Sequence, residues 1–515
     1  MHSVSRWLLA IAVCGFPFLR VAAQCPARPS AGTVVADPFS ISSQNGVLSA
    51  QFVLARSVDG TGYTHYCYKY TAPSKVVEAP TLRLNPGDQL DLTVVNRIKD
   101  DDATTMSMPA SAATTCGDGG AMTLDSTNVH FHGMNVPPKC HQDDVINTLI
   151  QPGTPGFKYN MKIPSTERPG LYWYHPHVHG FTEFQVNGGA AGALIVEGME
   201  KVRPEVAGLT ERVFVIRQQY LVPWIPGPYQ LTLNYQVAQA IGGAKPIIQM
   251  KPGEKQFWRV ANATLQDFMP LEVLVNGTPQ PLELIALDGY PLAQTRTQTT
   301  ILVPPAGRAE FIVQAPPSGA SASFFTDAYS TGPTGNPDIQ QTLATIALNK
   351  NADSSQMPKA SGDEIRFPDP TDAAVTAERN LFFSEEFGGT NGPIQFYITV
   401  DGQKQKVFEP DEKPVIVTKV GAVEDWTVEN RALETHAFHI HQIHFQVLEV
   451  DGKPVTNKDL RDTIEIPFWE GKGPFHSVKV RMDFRDPTTA GTFVFHCHIL
   501  LHEDLGMMHK IEVDP

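Results

Sequence analysis

One sequence pattern occurs three times along the chain, and it constrains the fold more than any other feature. Each copy is a glycine turn followed by a strand of alternating apolar residues that ends in Asn, at residues 82–96, 248–262 and 417–430. The first two copies carry Pro-Gly at the turn, and the third carries Val420-Gly421 instead. Solenoid repeats are roughly 20–50 residues long. The much longer period here predicts three copies of one domain.

The repeated segments have the pattern of half-buried β-strands. Leu90, Leu92 and Val94 alternate with polar residues at a period of two. The 40 Gly and 42 Pro among 515 residues indicate many short elements joined by turns. We therefore expect an all-β fold of three β-sandwiches, over residues 24–200, 201–355 and 356–515. The longest irregular stretches are expected at residues 100–125 and 349–376.

Composition excludes several classes of protein. Hydrophobic residues make up 42% and charged residues 18% of the chain, which supports packed cores and argues against disorder. The formal net charge is −14, and no basic stripe interrupts it. Nucleic-acid binding is therefore not expected.

The N-terminus has the pattern of an export signal. Arg6 precedes an apolar run at residues 7–18, and the small residues Ala22 and Ala23 precede Gln24. The run is shorter than the ~20 residues that span a bilayer, which disfavours an N-terminal membrane anchor. We predict a signal peptide at residues 1–23 and a secreted or periplasmic mature chain without a membrane span.

The cysteines agree with export to an oxidising compartment. Besides Cys14 in the signal segment, Cys497 stands far from the remaining four. Those four could form two disulfides in any of three connectivities. They are Cys25, Cys67, Cys116 and Cys140.

Histidine is the most informative residue type in this chain. No His occurs between His179 and His436, so the predicted middle domain has none. Chance predicts roughly half of one His-x-His pair at this frequency, and the chain has five. Four clusters hold most of them: NVHFHG at 128–133, WYHPHVH at 173–179, HAFHIHQIH at 436–444 and HCHILLH at 496–502.

Strand geometry gives these pairs a chemical meaning. Residues i and i+2 point to the same face of a strand, so each pair offers two imidazoles to one metal cluster. In the last cluster, His496 and His498 should face one way and Cys497 the other. A metal bound by Cys497 would then be linked through few bonds to metals bound by its neighbours.

Ligand chemistry favours copper. A thiolate with two imidazoles and a distant thioether suits a copper electron-transfer site, and Cys497, His502, Met507 and His436 supply these groups. Structural zinc sites draw four Cys or His ligands from compact spacings, which this pattern does not resemble.

The four clusters in this order, with a Met ten residues after the single Cys, resemble the multicopper oxidases, most closely the three-domain laccase-like members. The resemblance implies three cupredoxin-like Greek-key sandwiches and four copper ions. The type 1 copper would take His436, Cys497 and His502, with Met507 axial. The type 2 copper would take His130 and His439, and the type 3 pair would take His132, His175 and His498 on one ion and His177, His441 and His496 on the other.

The resemblance also implies an activity. A small reducing substrate, a phenol or an aromatic amine, would lose one electron at a time while dioxygen is reduced to water. Reduction of dioxygen consumes protons, and carboxyl groups are the natural relay. Glu503 resembles one family relay position, and Asp143 or Asp144 resembles the other, with the choice between them open. The chain is expected to act as a monomer.

Two alternatives remain beside this interpretation. A metallo-oxidase acting on Cu(I), Mn(II) or Fe(II) would use the same copper sites. A non-catalytic copper store would be expected to have lost ligands, whereas this chain keeps the whole set. His179 and His444 lie beside ligand positions and are expected to be polar neighbours rather than ligands.

Overall fold

A computed structural model describes residues 24–98, 116–220, 229–238, 243–350, 356–359, 373–388 and 394–515. The predicted signal peptide at residues 1–23 lies outside these ranges, as do parts of the two predicted irregular stretches. In the described ranges, strands dominate and the α-helices are short. None of these helices has the length and apolar character needed to span a bilayer.

The first sandwich consists of two five-stranded sheets that share one core. Phe52, Tyr68 and Tyr174 pack at its centre, with ring centroids 5.5–5.9 Å apart. Two disulfides, Cys25–Cys67 and Cys116–Cys140, cross-link this region and decide the connectivity that the sequence left open. Its elements are β1 (Ser40–Ser42), β2 (Val47–Val58), β3 (Thr64–Thr71), β4 (Val76–Glu78), β5 (Thr81–Leu84), β6 (Gln89–Asn96), β7 (Cys116–Gly117), β8 (His130–His132), β9 (Thr148–Leu149), β10 (Phe157–Lys162), β11 (Gly170–His175), α1 (Thr182–Asn187) and β12 (Gly192–Val196).

The second sandwich pairs a seven-stranded sheet with a six-stranded sheet. Trp258 lies in its core, with ring centroids 5.1 Å from Phe214 and 5.2 Å from Phe324. A short helix, α2 (Met199–Val202), and a 3₁₀ turn lead into it. Its strands are β13 (Thr210–Tyr220), β14 (Tyr229–Leu233), β15 (Gln236–Val237), β16 (Ile247–Met250), β17 (Lys255–Ala263), β18 (Met269–Val275), β19 (Thr278–Pro279), β20 (Leu282–Leu287), β21 (Tyr290–Gln298), β22 (Ile301–Val303), β23 (Arg308–Gln314), β24 (Ala322–Thr326) and β25 (Gln341–Leu348).

The third sandwich, like the second, has a seven-stranded sheet, which here pairs with a five-stranded sheet. Trp426 and Phe495 meet edge to face in its core, with centroids 5.6 Å apart. Its elements are β26 (Ala377–Phe387), β27 (Ile394–Val400), β28 (Ile416–Lys419), β29 (Val423–Asn430), β30 (His436–Ile440), β31 (Phe445–Val450), β32 (Lys453–Pro454), β33 (Leu460–Arg461), β34 (Thr463–Ile466), β35 (His476–Asp483), β36 (Gly491–Cys497), α3 (Leu500–Asp504) and β37 (Met508–Asp514).

Strand order is similar in the three sandwiches. One sheet of the first runs β1-β5-β12-β11-β8 and the other β10-β6-β2-β3-β4. The second has β15-β14-β13-β17-β23-β20-β21 and β16-β25-β24-β18-β19, with β22 on β18. The third has β27-β26-β29-β35-β31-β32, with β33 on β31, and β28-β37-β36-β30-β34. The three sandwiches confirm the predicted all-β fold.

The repeated Asn has the same structural role in each sandwich. Asn96, Asn262 and Asn430 are buried at the ends of β6, β17 and β29. The side-chain amide of each donates to two backbone carbonyls across the following loop, at 2.6–3.0 Å. Each repeat therefore fixes the corner that leads out of its strand.

The turn before each repeated strand depends on glycine rather than on proline. Gly87, Gly253 and Gly421 all have positive φ, at +87°, +75° and +94°. Such values favour Gly because it has no Cβ. Val420 can replace Pro in the third copy because Gly421 keeps this conformation.

Candidate metal centre

A free cysteine and two imidazoles meet in the third sandwich. His436 begins β30, Cys497 ends β36 and His502 lies on α3. Cys497 Sγ lies 3.5 Å from His436 Nδ1 and 3.9 Å from His502 Nδ1, and the two Nδ1 atoms are 3.3 Å apart. Met507 is fully buried beside them, and its backbone bonds those of His502 and Cys497. The structure thus brings the predicted type 1 residues together.

Burial shifts the pKa values of two members of this triad, Cys497 and His502. Burial raises the pKa of the Cys497 thiol above its ordinary value and lowers the pKa of His502 well below 6.5. A buried thiol becomes a thiolate when a metal cation compensates its charge. With two imidazoles and a thioether nearby, the donor set suits copper.

Eight further imidazoles converge between the first and third sandwiches. His130 faces His175 across the β8–β11 pair, and His439 faces His496 across the β30–β36 pair. Rings from the two sandwiches stack on one another. The ring centroids are 3.8 Å apart for His130 and His441 and 4.0 Å apart for His132 and His439. We call this set the eight-His cluster: His130, His132, His175, His177, His439, His441, His496 and His498.

Three of the predicted ligands, His177, His441 and His496, lie close together. The Nε2 atom of His496 lies 3.4 Å from that of His177 and 3.2 Å from that of His441. His496 Nδ1 bonds the Cys497 carbonyl at 2.9 Å, which places the proton of a neutral ring on Nδ1. Its Nε2 then presents a lone pair to two other nitrogens. Close nitrogens of this kind are typical of a metal site.

The other predicted groups are close but are arranged less simply. His132 and His175 are grouped with His130 by their ligand atoms, whereas the predicted third member is His498. The ring of His498 lies 5.1 Å from that of His132 and 5.5 Å from that of His175. His130 and His439, the predicted type 2 pair, share a further group.

The hydrogen bonds of the cluster fit a metal. Four imidazoles use one ring nitrogen to contact a carboxylate or carbonyl oxygen and leave the other buried without a hydrogen-bond partner. Ligands of metals characteristically have this arrangement. Burial lowers the pKa of His132 to about 4 and of His496 to about 3, so the rings are neutral and able to bind metal. The four are His130, His132, His175 and His439.

Family comparison agrees with this chemistry. Two multicopper oxidase family models match the chain, one at residues 121–201 and the other at residues 388–515. These two segments contain all four His clusters. The chain belongs to the multicopper oxidases. Membership implies copper as the metal of this oxidase.

Curated relatives are similar over most of their length. A multicopper oxidase of Staphylococcus aureus is 25% identical over 450 residues, covering 84% of this chain and 81% of that protein. A Bacillus subtilis laccase is 23% identical over 427 residues, covering 76% of this chain and 80% of that one. The Campylobacter jejuni multicopper oxidase, described as a metallo-oxidase, superposes with a TM-score of 0.70 at 24% identity, covering 95% of this chain and 96% of that chain. This last similarity concerns the fold.

Asp143 is one of two buried carboxyl groups that lie against the eight-His cluster, and the sequence predicted a proton relay at Asp143 or Asp144. Asp143 Oδ2 lies 2.9 Å from His130 Nδ1, and burial raises the pKa of Asp143 to about 7. Asp144 instead accepts hydrogen bonds from Asn147. The geometry therefore favours Asp143 over Asp144.

Glu503 lies on the opposite side of the cluster. Its two oxygens are 3.5 Å from His177 Nε2 and 3.3 Å from His496 Nδ1, and its side chain is fully buried. Burial and the neighbouring Asp504 raise the pKa of Glu503 well above its usual value. A carboxyl group whose environment favours the protonated form thus lies beside two predicted ligands.

Sequence reasoning missed two residues at the cluster. Asp462 Oδ1 lies 3.3 Å from His132 Nε2, and the Asp462 carbonyl accepts from His439 Nδ1 at 2.8 Å. Gln442 donates to Asp143 from Nε2 at 2.5 Å. Asp462 lies outside the four His clusters, and Gln442 lies within the third cluster at a position that carries no imidazole, so the His-x-His pattern indicated neither residue.

Two carboxyl groups that were not predicted from the sequence lie beside the triad. Glu385 Oε1 lies 3.4 Å from His436 Nε2, and Glu434 Oε2 lies 3.6 Å from His502 Nε2. Their side chains are 3% and 13% exposed. Burial and the proximity of Glu385 raise the pKa of Glu434.

His444 and His179, the two histidines beside predicted ligand positions, make contacts outside the eight-His cluster. His444 Nε2 lies 2.8 Å from the Asp288 carbonyl and 3.2 Å from Asp462 Oδ2. His179 packs against Phe408, and burial lowers its pKa to about 4. Neither belongs to a group of potential ligands among the described residues.

Proposed function

We propose that this multicopper oxidase is laccase-like and couples four one-electron oxidations of phenols or aromatic amines to the reduction of dioxygen to water. The balance is four phenols and one dioxygen giving four phenoxyl radicals and two waters. The observation that carries the proposal is the segment 496–498. Cys497 belongs to the triad, and its two neighbours, His496 and His498, belong to the eight-His cluster.

Four copper ions are proposed, held as the sequence predicts. His436, Cys497 and His502 would hold one, with Met507 axial. His130 and His439 would hold the second, and the remaining six cluster histidines would hold a pair. When bound, copper would supply one-electron redox chemistry at the triad and the site of dioxygen reduction at the cluster.

The protein itself supplies protons and a closed environment. Glu503, whose pKa is raised well above its usual value, lies within 3.5 Å of His177 and His496, and Asp143, with a pKa of about 7, lies 2.9 Å from His130. Gln442 lines a cleft of about 440 Å³ and donates to Asp143, so one side chain separates this carboxyl group from the cleft. We infer that both carboxyl groups deliver protons to the cluster.

Export is proposed from the signal segment and the disulfides. Cys25–Cys67 and Cys116–Cys140 require an oxidising compartment to form and persist. They support a secreted or periplasmic protein after removal of residues 1–23. The domains are proposed to be residues 24–200, 201–355 and 356–515.

The proposal is tested by oxygen uptake of the copper-loaded mature protein with a simple phenol. Intense blue colour and phenol-dependent uptake are expected. Copper binding without colour or turnover would contradict the proposal, and would instead match a non-catalytic copper store.

A second candidate function, oxidation of metal ions, is favoured by one observation. Glu385 and Glu434 place carboxyl groups 3.4 and 3.6 Å from the outer nitrogens of His436 and His502. Carboxylates suit Mn(II) and Fe(II), and a cation bound by them would lie next to the triad imidazoles.

The two candidates are separated by the variants E385Q and E434Q. For a metallo-oxidase, each change should raise the KM for Fe(II) or Mn(II) and leave the KM for a phenol unchanged. Glu429→Gln is the matched control, because Glu429 pairs with Arg431 instead. An unchanged metal KM would exclude this second function.

A further inference from the structure

The middle sandwich carries no His, yet one of its arginines reaches the eight-His cluster. Arg308 begins β23, and its side chain is fully buried. Its Nη1 lies 2.7 Å from Asp462 Oδ1, and its Nη2 lies 2.5 Å from Asp462 Oδ2. This is the bidentate geometry in which a planar guanidinium fixes the plane of a carboxylate.

Arg308 is itself held in one position. Nε donates to the Leu171 carbonyl at 3.3 Å, Nη1 to the Ala306 carbonyl at 3.1 Å and Nη2 to the Asp288 carbonyl at 2.9 Å. Leu171 belongs to the first sandwich, and Asp462 belongs to the third. The guanidinium therefore joins all three sandwiches at one point.

Asp462 passes this constraint to two imidazoles. Its Oδ1 lies 3.3 Å from His132 Nε2, and its carbonyl accepts from His439 Nδ1 at 2.8 Å. These rings come from different sandwiches and stack at 4.0 Å. Thr463 Oγ1 and His444 Nε2 occupy the remaining sides of the carboxylate, at 2.8 and 3.2 Å.

The backbone beside His132 leaves room for this arrangement. Gly133 has a φ of +85°, and a Cβ at this position would overlap Arg308 Nη2 and Asp462 Oδ2. A residue with a side chain would displace the ion pair. The Gly that ends the first His motif thus has a steric role.

We propose that Arg308 is a positioning residue for His132 and His439, acting through Asp462, so that the middle sandwich completes a site to which it gives no ligand. This inference rests on the proposed copper oxidase function. The Asp462 contacts keep the protons on His132 Nε2 and His439 Nδ1. The opposite nitrogens, which have no hydrogen-bond partner, are then the ones presented to copper.

The test compares R308M and R308K with the unchanged protein, all as the full mature chain loaded with copper. We expect copper affinity at the cluster to fall about 10- to 100-fold in R308M, as is typical when an outer contact of a ligand is lost. The type 2 electron paramagnetic resonance signal should weaken or change shape. The blue band of the triad should stay, because Arg308 does not contact the triad. R308K keeps the positive charge but cannot make the bidentate contact of a guanidinium. Its copper affinity at the cluster should therefore lie between those of R308M and the unchanged protein.

Arg259 offers a matched control. It is a fully buried arginine of the same sheet, and it pairs with Glu211 and Glu310 at the boundary with the first sandwich. R259M should destabilise the protein by a similar loss of buried ion pairs. Its copper content and type 2 signal should remain those of the unchanged protein.

Asp462→Asn tests the route of the effect. It should reproduce the spectral change of R308M, and the double variant should add little to it, because the two residues act as one unit. The blue band reports folding of the third sandwich in every variant, and R308K carries the test if R308M is insoluble.

Failure of this inference and failure of the proposed function give different results. A type 2 signal and copper content in R308M and R308K equal to those of the unchanged protein would overturn the positioning role. Absence of these signals in the unchanged protein would overturn the oxidase function itself.

Discussion

The triad and the eight-His cluster are built in different ways. The triad draws all its residues from the third sandwich, where β30, β36 and α3 adjoin. The cluster takes its imidazoles from the first and third sandwiches and is braced by Arg308 of the second. One site depends on the fold of a single domain, and the other depends on how three domains dock. Changes at one should therefore leave the spectrum of the other intact.

The largest effect is expected from C497S. This change removes the thiolate and the link to His496 and His498, so oxygen uptake with a phenol should fall more than about 1000-fold. The blue band should vanish, while the type 2 signal of the cluster remains. Absorption and paramagnetic resonance spectra of the loaded variant check this. Retention of the blue band would remove Cys497 from the triad.

H441N should have the opposite effect on the two sites, with loss of function at the cluster and an unchanged triad. His441 lies in the cluster, with its Nε2 3.2 Å from His496 Nε2. Oxygen uptake should fall more than about 100-fold, because groups that act as a unit fail together. The blue band should be unchanged, and a loss of colour in this variant would show that the two sites are not independent.

A smaller effect is expected from E503Q, which removes a proton from beside His177 and His496. General acid catalysis contributes about 10²–10⁴-fold, so kcat should fall at least about 100-fold with normal copper content and colour. Stopped-flow and steady-state rates measure this. Glu512→Gln, on β37 of the same sandwich, is the control, and equal rates for the two variants would exclude the relay role of Glu503.

The smallest effect is expected at a pair of buried carboxyl groups in the middle sandwich. Asp267 and Asp338 are buried together, and burial and their mutual proximity raise the pKa of Asp338. A carboxyl group with a raised pKa in the folded state adds stability at acid pH, and this stability is lost as the pH rises through that pKa.

The variant D338N should remove this loss. Its melting temperature should exceed that of the unchanged protein by about 1–3 °C at alkaline pH, with no difference in the blue band. Thermal unfolding followed between pH 5 and pH 9 checks this. Asp327→Asn, an exposed residue of the same sandwich, should show no such trend, and a steeper alkaline loss in D338N would contradict the account.

Much of the fold could be predicted from the sequence, because its cause is local. Leu90, Leu92 and Val94 alternate with polar residues, and all three are buried in β6. The disulfide pairing could not be predicted, since it depends on which strands become neighbours. Cys25 and Cys67 are 42 residues apart and meet only once β2 and β3 have paired.

In the candidate site too, features with a local cause could be predicted and contacts between distant residues could not. The His-x-His pairs are visible in the sequence because a strand places both residues on one face. The choice between Asp143 and Asp144 needed the path of the loop after β8. Arg308 and Asp462 are 154 residues apart and belong to different sandwiches, so their contact arises from domain docking alone.

The central claim is that the triad and the eight-His cluster act together in one enzyme. The most direct measurement is the ratio of substrate oxidised to dioxygen consumed, with hydrogen peroxide measured at the same time. The account predicts four one-electron oxidations of a phenol per dioxygen and no peroxide. A ratio of two, with one peroxide formed per dioxygen, would contradict it.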